Sequence, residues 1–232
     1  MPSPSPRTIL RAGALLLAAL ALYEAWTFYR VWRWVDRNPE RTSFMELRLS
    51  QLRRESPEAE LRQKWVRYGQ IAPSLKRAVL AAEDIRFLRH DGFDWEGIED
   101  ALEKNLRSGR IVAGGSTVSQ QLAKNLFLSD GRTPWRKAQE AVITLMLETT
   151  MSKRRILEIY LNVIEWGQGI FGAQAASNHY FGLAAAHLSP EQAARLAAMI
   201  PNPRYYDENR NARELNRRTR LILARMRHVR VP

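Results

Sequence analysis

In the stretch EDIRFLRHDGFD, residues 83–94, Glu83, Phe87 and His90 fall at i, i+4 and i+7. A helix continuing through them would set a carboxylate against an aromatic ring, and partial desolvation there raises a carboxyl pKa toward that of a useful proton acceptor. That is an environment for a general base. The same residues also read as a helix C-terminus with solvated charges, the commoner setting for a glutamate.

A second stretch, GGSTVSQQLAKN at residues 114–125, places two glycines before a run of hydroxyl, amide and ammonium groups. Glycine lets the backbone pass close to a ligand, and a helix opening at Thr117 would turn free amides and its positive end toward an anion. Gln121 and Lys124 follow one turn apart on that helix. The pattern fits a phosphate seat. It fits equally a tight turn backed by a polar helix face, since glycine-serine turns are common.

Further along, RKAQEAVITLMLE at residues 136–148 sets Arg136 and Glu140 one turn apart, which a surface ion pair of about 0.2–0.5 kcal/mol would explain. Glu148 reads as a structural carboxylate pairing inside a helical bundle. In SKRRILEIYLNVIEWGQGIFGAQAASNHYF, residues 152–181, the apolar rows read as core and the glycines as a turn. Lys153, Arg154 and Arg155 fit either a solvated face or a lipid-headgroup contact. His90 and His179 have no second ligand at a usual spacing, so a histidine-based metal site is not expected.

Helices must position these groups. Pro73 suits a first turn, with Leu75, Ala78, Val79 and Ala82 forming an apolar stripe that runs up to Glu83 and Asp84. Asp94 caps a second helix through Ile98, Leu102 and Leu106, stopped at Gly109. A third opens at Thr117, where T-V-S-Q matches a capping box with Gln120. Arg136 to Met151, Lys153 to Trp166, Ala173 to Tyr180, Ser189 to Ile200 with Ser189 as cap and Pro190 in the first turn, and Ala212 to Arg227 complete the set. On the last of these, Leu215, Thr219, Ile222, Leu223 and Met226 share a face, expected to pack on the domain more than on a membrane. No alternation of period two stands out, so the domain is read as all-α.

The 232 residues suffice for one sizeable core, and no repeat or low-complexity block interrupts them. Hydrophobic and charged fractions of 45% and 26% are ordinary, whereas a net charge of +12 points to an acidic partner: nucleic acid, anionic lipid or a phosphorylated substrate. Cysteine is absent, which excludes disulfides and thiolate chemistry. Near the N-terminus the uncharged run from Ala12 to Tyr23 lies in a wider apolar span, 9–31, of bilayer-crossing length. Arg11 can snorkel to headgroups, Glu24 is the misfit, and Trp26, Tyr29, Trp32 and Trp34 resemble an interfacial belt. Arg7 and Arg11 favour a cytoplasmic start. The alternative is a signal peptide cleaved after Ala19-Leu20-Ala21. The expected division is a cytoplasmic tail at 1–8, an anchor at 9–31, a linker and entry segment at 32–70 broken by Pro39 and Pro57, and the domain at 71–232.

In this order and spacing, AAEDIRFLRHDGFD, GGSTVSQQLAKNLFL, RKAQEAVITLMLE, KRRILEIYLNVIEWGQGIFGAQAASNHYF and LSPEQAARLAAMIPNP resemble the peptidoglycan glycosyltransferases. The resemblance covers about Ile71 to Tyr206. It is nearest to the monofunctional, membrane-anchored members, and no S-x-x-K occurs that could serve an acyl-serine transpeptidase. Val118-Ser119 stands where isoleucine and threonine are commoner.

The resemblance implies a lysozyme-like α-helical domain with an N-terminal transmembrane helix, lying outside a bacterial inner membrane on its periplasmic side. Its reaction joins lipid II units into β-1,4 glycan strands and releases undecaprenyl pyrophosphate. By motif match Glu83 is the base that takes the attacking hydroxyl proton, and Glu140 is the second functional glutamate. Gly115, Ser116, Thr117, Gln121 and Lys124 match the family's phosphate cradle, joined by Arg132, Arg136 and Lys137. Asp84, Phe87 and His90 match positions that shape the site. By resemblance Glu140 either helps to hold a divalent cation, Mg2+ or Mn2+, on the substrate pyrophosphate or assists the departure of that group, the cation bridging substrate oxygens more than protein ligands. Lipid II, growing lipid-linked glycan and the membrane are the implied partners, with other cell-wall synthesis and division proteins, and no nucleic acid. Two rivals stand beside this reading: a lysozyme-like enzyme that cleaves glycan, and a non-catalytic basic protein that binds at membranes.

Overall fold

A computed structural model describes residues 5–110, 114–127, 131 and 133–232. The chain divides into two units, Met1–Asn38 and Pro39–Pro232. The first holds helix α1, Pro6–Arg33. Ser5 caps it by accepting the Thr8 amide at 3.3 Å, and Pro6 sits in its first turn. This 28-residue helix is long and apolar enough to cross a membrane by length and composition. The rings of Trp26, Tyr29 and Trp32 follow one another along it at 5.7 and 6.4 Å.

The second unit is helical with one small sheet. Its elements are α2 (Ser43–Glu55), β1 (Arg62–Gln63), α3 (Pro73–Glu83), α4 (Trp95–Ser108), α5 (Val118–Phe127), α6 (Pro134–Thr150), α7 (Lys153–Val163), β2 (Glu165–Gly167), β3 (Ile170–Phe171), α8 (Ala173–Phe181), α9 (Pro190–Met199), α10 (Pro203–Glu208) and α11 (Arg213–Arg225). The expected all-α class holds. The sheet runs in the order β1-β3-β2, with β1 parallel to β3 and β2 antiparallel. Its strands are too short to show alternation in the sequence. Where a helix was expected from Lys153 to Trp166, α7 ends at Val163 and the chain turns into β2.

Local chemistry sets several helix ends. Asp94 accepts the Gly97 amide at 3.0 Å, and Gly109 closes α4 in the left-handed region at φ 61°. Thr117 and Gln120 form the expected capping box: the Gln120 amide donates to the Thr117 hydroxyl at 3.2 Å and the Gln120 side-chain oxygen accepts the Thr117 amide at 3.0 Å. Ser189 and Gln192 repeat it at α9.

One core layer packs α3 against α9 and α11, burying Leu75, Val79, Leu196 and Leu215. A second sets α5 on α6, α7 and α2, with Leu122, Leu126, Ile143, Leu147 and Ile159 fully enclosed. Burial on this scale supplies the main drive to fold, at roughly 25 cal/mol per Å² of apolar surface. α11 packs as expected, with Ile222 and Met226 buried beside Leu215. The stretch at 32–70 is more than a linker, because α2 buries Met45 and Leu49 there. The stripe on α4 faces outward instead: Leu102 is 58% and Leu106 73% exposed.

Candidate active site

Glu83 is the last residue of α3, and its helix does not continue through Phe87 and His90, which belong to a separate short turn. The shared helical face expected for these three therefore does not form. Glu83 opens instead into a cavity of about 520 Å³ that it shares with Gln121, Lys124 and Asn125 of α5, Tyr160 of α7, Phe44 and Arg48 of α2, Glu165 of β2, and Asn202 and Arg204 at the head of α10. Burial pushes the Glu83 carboxyl above its ordinary range, and the neighbouring Asp84 charge adds to this. A hydrogen bond from Gln121 and the Arg218 charge oppose it.

The contacts form a chain. The Gln121 side-chain nitrogen donates to Glu83 Oε2 at 2.8 Å, and the Tyr160 hydroxyl donates to Gln121 Oε1 at 2.8 Å. Lys124, one turn on, lines the same cavity and has no ion-pair partner among the described residues. On the far wall Arg48 and Glu165 form an ion pair at 3.0 Å, their side chains 6% and 3% exposed. Burial raises the Glu165 carboxyl, and the Arg48 charge offsets part of that rise.

Asp84, Phe87 and His90 support the site from below. Asp84 accepts the Val118 amide at 2.9 Å. The Gly92 amide donates to His90 Nδ1 at 3.2 Å, which leaves Nε2 to donate to Asp84 at 3.0 Å. Phe87 is enclosed, with the Lys153 ammonium 4.7 Å from its ring centroid. Glu148 takes the structural part expected of it, accepting from Lys153 at 2.8 Å and from Ser119.

At the head of α5, where an anion seat was expected, two backbone amides are occupied from within the protein. The Val118 and Thr117 amides are taken by Asp84 and Gln120, and the Thr117 hydroxyl is buried and donates to the Gly92 carbonyl at 2.7 Å. Gly115 has a packing reason instead: a Cβ there would stand 3.0 Å from Ile98 Cγ1 and 3.1 Å from Ile98 Cα. Ser116 is exposed. Gly115, Ser116 and Thr117 are not among the residues lining the Glu83 cavity, and neither are Arg136, Lys137 and Glu140. Arg132 lies outside the described residues.

Glu140 is 4% exposed, so its pairing is no surface contact. Arg136 Nη1 meets its Oε2 at 3.1 Å and the Lys137 ammonium takes its Oε1. With both oxygens held by cations, and no cluster of three His, Asp or Glu side chains among the described residues, the surroundings do not fit a protein-held divalent cation.

Sequence reasoning missed Arg48, Tyr160, Glu165, Asn202 and Arg204 as cavity residues. Glu165 carried a signal, a lone carboxylate between Ile164 and Trp166 in an otherwise apolar run. Arg48 carried none, because it sits in a heavily charged segment that reads as linker.

A family model described as transglycosylase matches residues 49–227. Among curated proteins, one from Chromobacterium violaceum named biosynthetic peptidoglycan transglycosylase is 61% identical over 226 residues, covering 97% of this chain and 99% of that protein. A protein of the same name from Laribacter hongkongensis is 60% identical, covering 97% and 98%, and one from Methylobacillus flagellatus is 60% identical, covering 96% and 97%. With α3 to α11 inside the matched span, the chain belongs to the transglycosylase family.

Proposed function

We propose that the chain polymerises lipid II into linear β-1,4 glycan strands. In this reaction the 4-hydroxyl of one disaccharide attacks the anomeric carbon of the growing strand. The C–O bond to the diphosphate breaks as the new glycosidic bond forms, which inverts the α linkage to β. Glu83 takes the hydroxyl proton, a contribution of roughly 10²–10⁴-fold in rate. Its raised pKa suits a base that must hold a proton briefly near neutral pH. Charge gathers on the departing diphosphate, and Lys124 is the cation placed to meet it.

The observation that carries this reading is that the Glu83 carboxylate, held by Gln121, and the Lys124 ammonium, which has no ion-pair partner among the described residues, open on one cavity. Arg132, Arg136 and Lys137 belong to the diphosphate side by resemblance. In that arrangement Glu140 orients Arg136 and Lys137 and does not itself carry a proton. Gly115 and Thr117 set the start of α5, and Asp84, Phe87 and His90 hold Glu83 in register. The lipid tail of such a substrate calls for a membrane, and α1 suits a single-pass anchor in a bacterial inner membrane with the domain on the periplasmic side.

Purified full-length protein given lipid-linked disaccharide is expected to release diphosphate lipid and build polymer, and Glu83→Gln to lose this activity. Cleavage of supplied polymeric glycan without chain growth would replace the synthetic reading with the lytic one.

A further inference from the structure

The role of Tyr160 deepens the reading of Glu83 as the base and rests on it. Tyr160 is fully enclosed in α7, yet its hydroxyl reaches the cavity wall and ends on Gln121 Oε1 at 2.8 Å. An amide in the opposite orientation would point its oxygen at the Glu83 carboxylate, acceptor against acceptor, and its NH2 at the phenol. Such an amide is satisfied only when Glu83 is protonated. The orientation present gives Glu83 a donor, and therefore favours its charged, proton-accepting form. Among the described residues the Gln121 side chain bonds only Glu83 and Tyr160, since its contact from Asn125 goes to the backbone carbonyl.

We infer that Tyr160 is a positioning residue for the reaction: its hydroxyl locks the Gln121 amide with the NH2 toward Glu83 and so keeps the base available. Burial, together with the Glu83 and Asp84 charges, pushes the phenol well above its ordinary range, so it remains a donor across the working pH range. Other charges bear on Glu83 from each neighbouring element: Asp84 beside it, Arg218 of α11, Lys124 of α5, and Arg48, Glu165 and Arg204 around the cavity. They act whichever way the amide points, which makes the Tyr160 contribution separable.

The test is the pH profile of chain growth by the full-length protein at limiting lipid-linked disaccharide, where the acidic limb follows the free enzyme's base. Tyr160→Phe is expected to move that limb upward by about half to one pH unit. Gln121→Met is expected to move it the same way, and adding Tyr160→Phe to Gln121→Met to move it no further, because the two act as one unit. An unmoved limb in Tyr160→Phe, or an equal shift in the Gln121→Met background, overturns the inference. Should Tyr160→Phe not fold, 3-fluorotyrosine placed at 160 keeps the shape and strengthens the donor. The limb is then expected to move downward, and a limb that stays put overturns the inference. Glu83→Gln separates the two layers: an active Glu83→Gln enzyme removes the base reading itself. An inactive one beside an unmoved Tyr160→Phe limb removes only the role of Tyr160.

Discussion

Asp84 accepts the Val118 amide at 2.9 Å, so the residue that follows Glu83 also fixes the start of α5. One turn into α5, Gln121 then arrives 2.8 Å from the Glu83 carboxylate. A single buried side chain thus sets the register between Glu83 and its donor, and His90 holds that side chain from the other side. Precision at the cavity comes from the junction of two helices, which is stiffer than a loop would be.

Because burial raises the Glu83 pKa in the folded protein, the native state holds this proton more tightly than the unfolded chain does. The resulting stability is whole below the ordinary carboxyl range and is lost as pH rises through the folded value. Glutamine cannot ionise, so Glu83→Gln is expected to melt at a higher temperature than the parent near neutral pH, with the gap closing in acid. Melting temperatures across a pH series check this, and a gap that widens in acid would contradict it.

Lys124 contributes charge to the cavity and has no ion-pair partner among the described residues. Lys124→Ala is expected to lower kcat/KM by roughly 10²–10³-fold while leaving the melting temperature nearly unchanged. Initial rates at limiting substrate decide the matter; a parental rate would remove Lys124 from the diphosphate.

The two glycines of the bend should respond differently. A Cβ at Gly114 meets nothing within 4 Å among the described residues, whereas one at Gly115 presses on the backbone and side chain of Ile98. Gly115→Ala is expected to cost about 1–3 kcal/mol of stability and Gly114→Ala far less, measured by urea unfolding. Equal losses would mean that close packing is not what Gly115 supplies.

For the buried pair on the far wall, removing one partner strands the other. Arg48→Ala is expected to destabilise by about 3–5 kcal/mol, and the joint change Arg48→Met with Glu165→Gln by clearly less. Denaturant unfolding of the singles and the double reads the difference directly.

What the sequence revealed was whatever short-range chemistry dictates. Asp94, Thr117 and Ser189 each cap a helix where expected, because an N-cap depends on a side chain and an amide three residues away. The outward face of α4 could not be read, since a stripe such as Leu102 and Leu106 shows that a helix is amphipathic without showing what lies opposite. α2 was hidden because only Met45 and Leu49 mark its buried side among charged neighbours. The occupied head of α5 was equally invisible: its occupant, Asp84, comes from another helix, and local pattern says nothing about such long-range bonds. Of the candidate site, Glu83, Gln121 and Lys124 were found by pattern and do meet in one cavity. Their companions Arg48 and Glu165 were not, because a pair joined across half the chain leaves no periodic trace.

The parallel pairing of Arg62 with Ile170 and Gln63 with Phe171 stitches the early chain to the segment beyond α7. Closing so long a stretch is entropically unfavourable, though the penalty grows only slowly with length, and contacts of this kind slow folding. A nascent chain emerging from the ribosome would hold β1 and Arg48 idle until the region around Glu165 and Ile170 had been made, so the Glu83 cavity can mature only after that later segment is out.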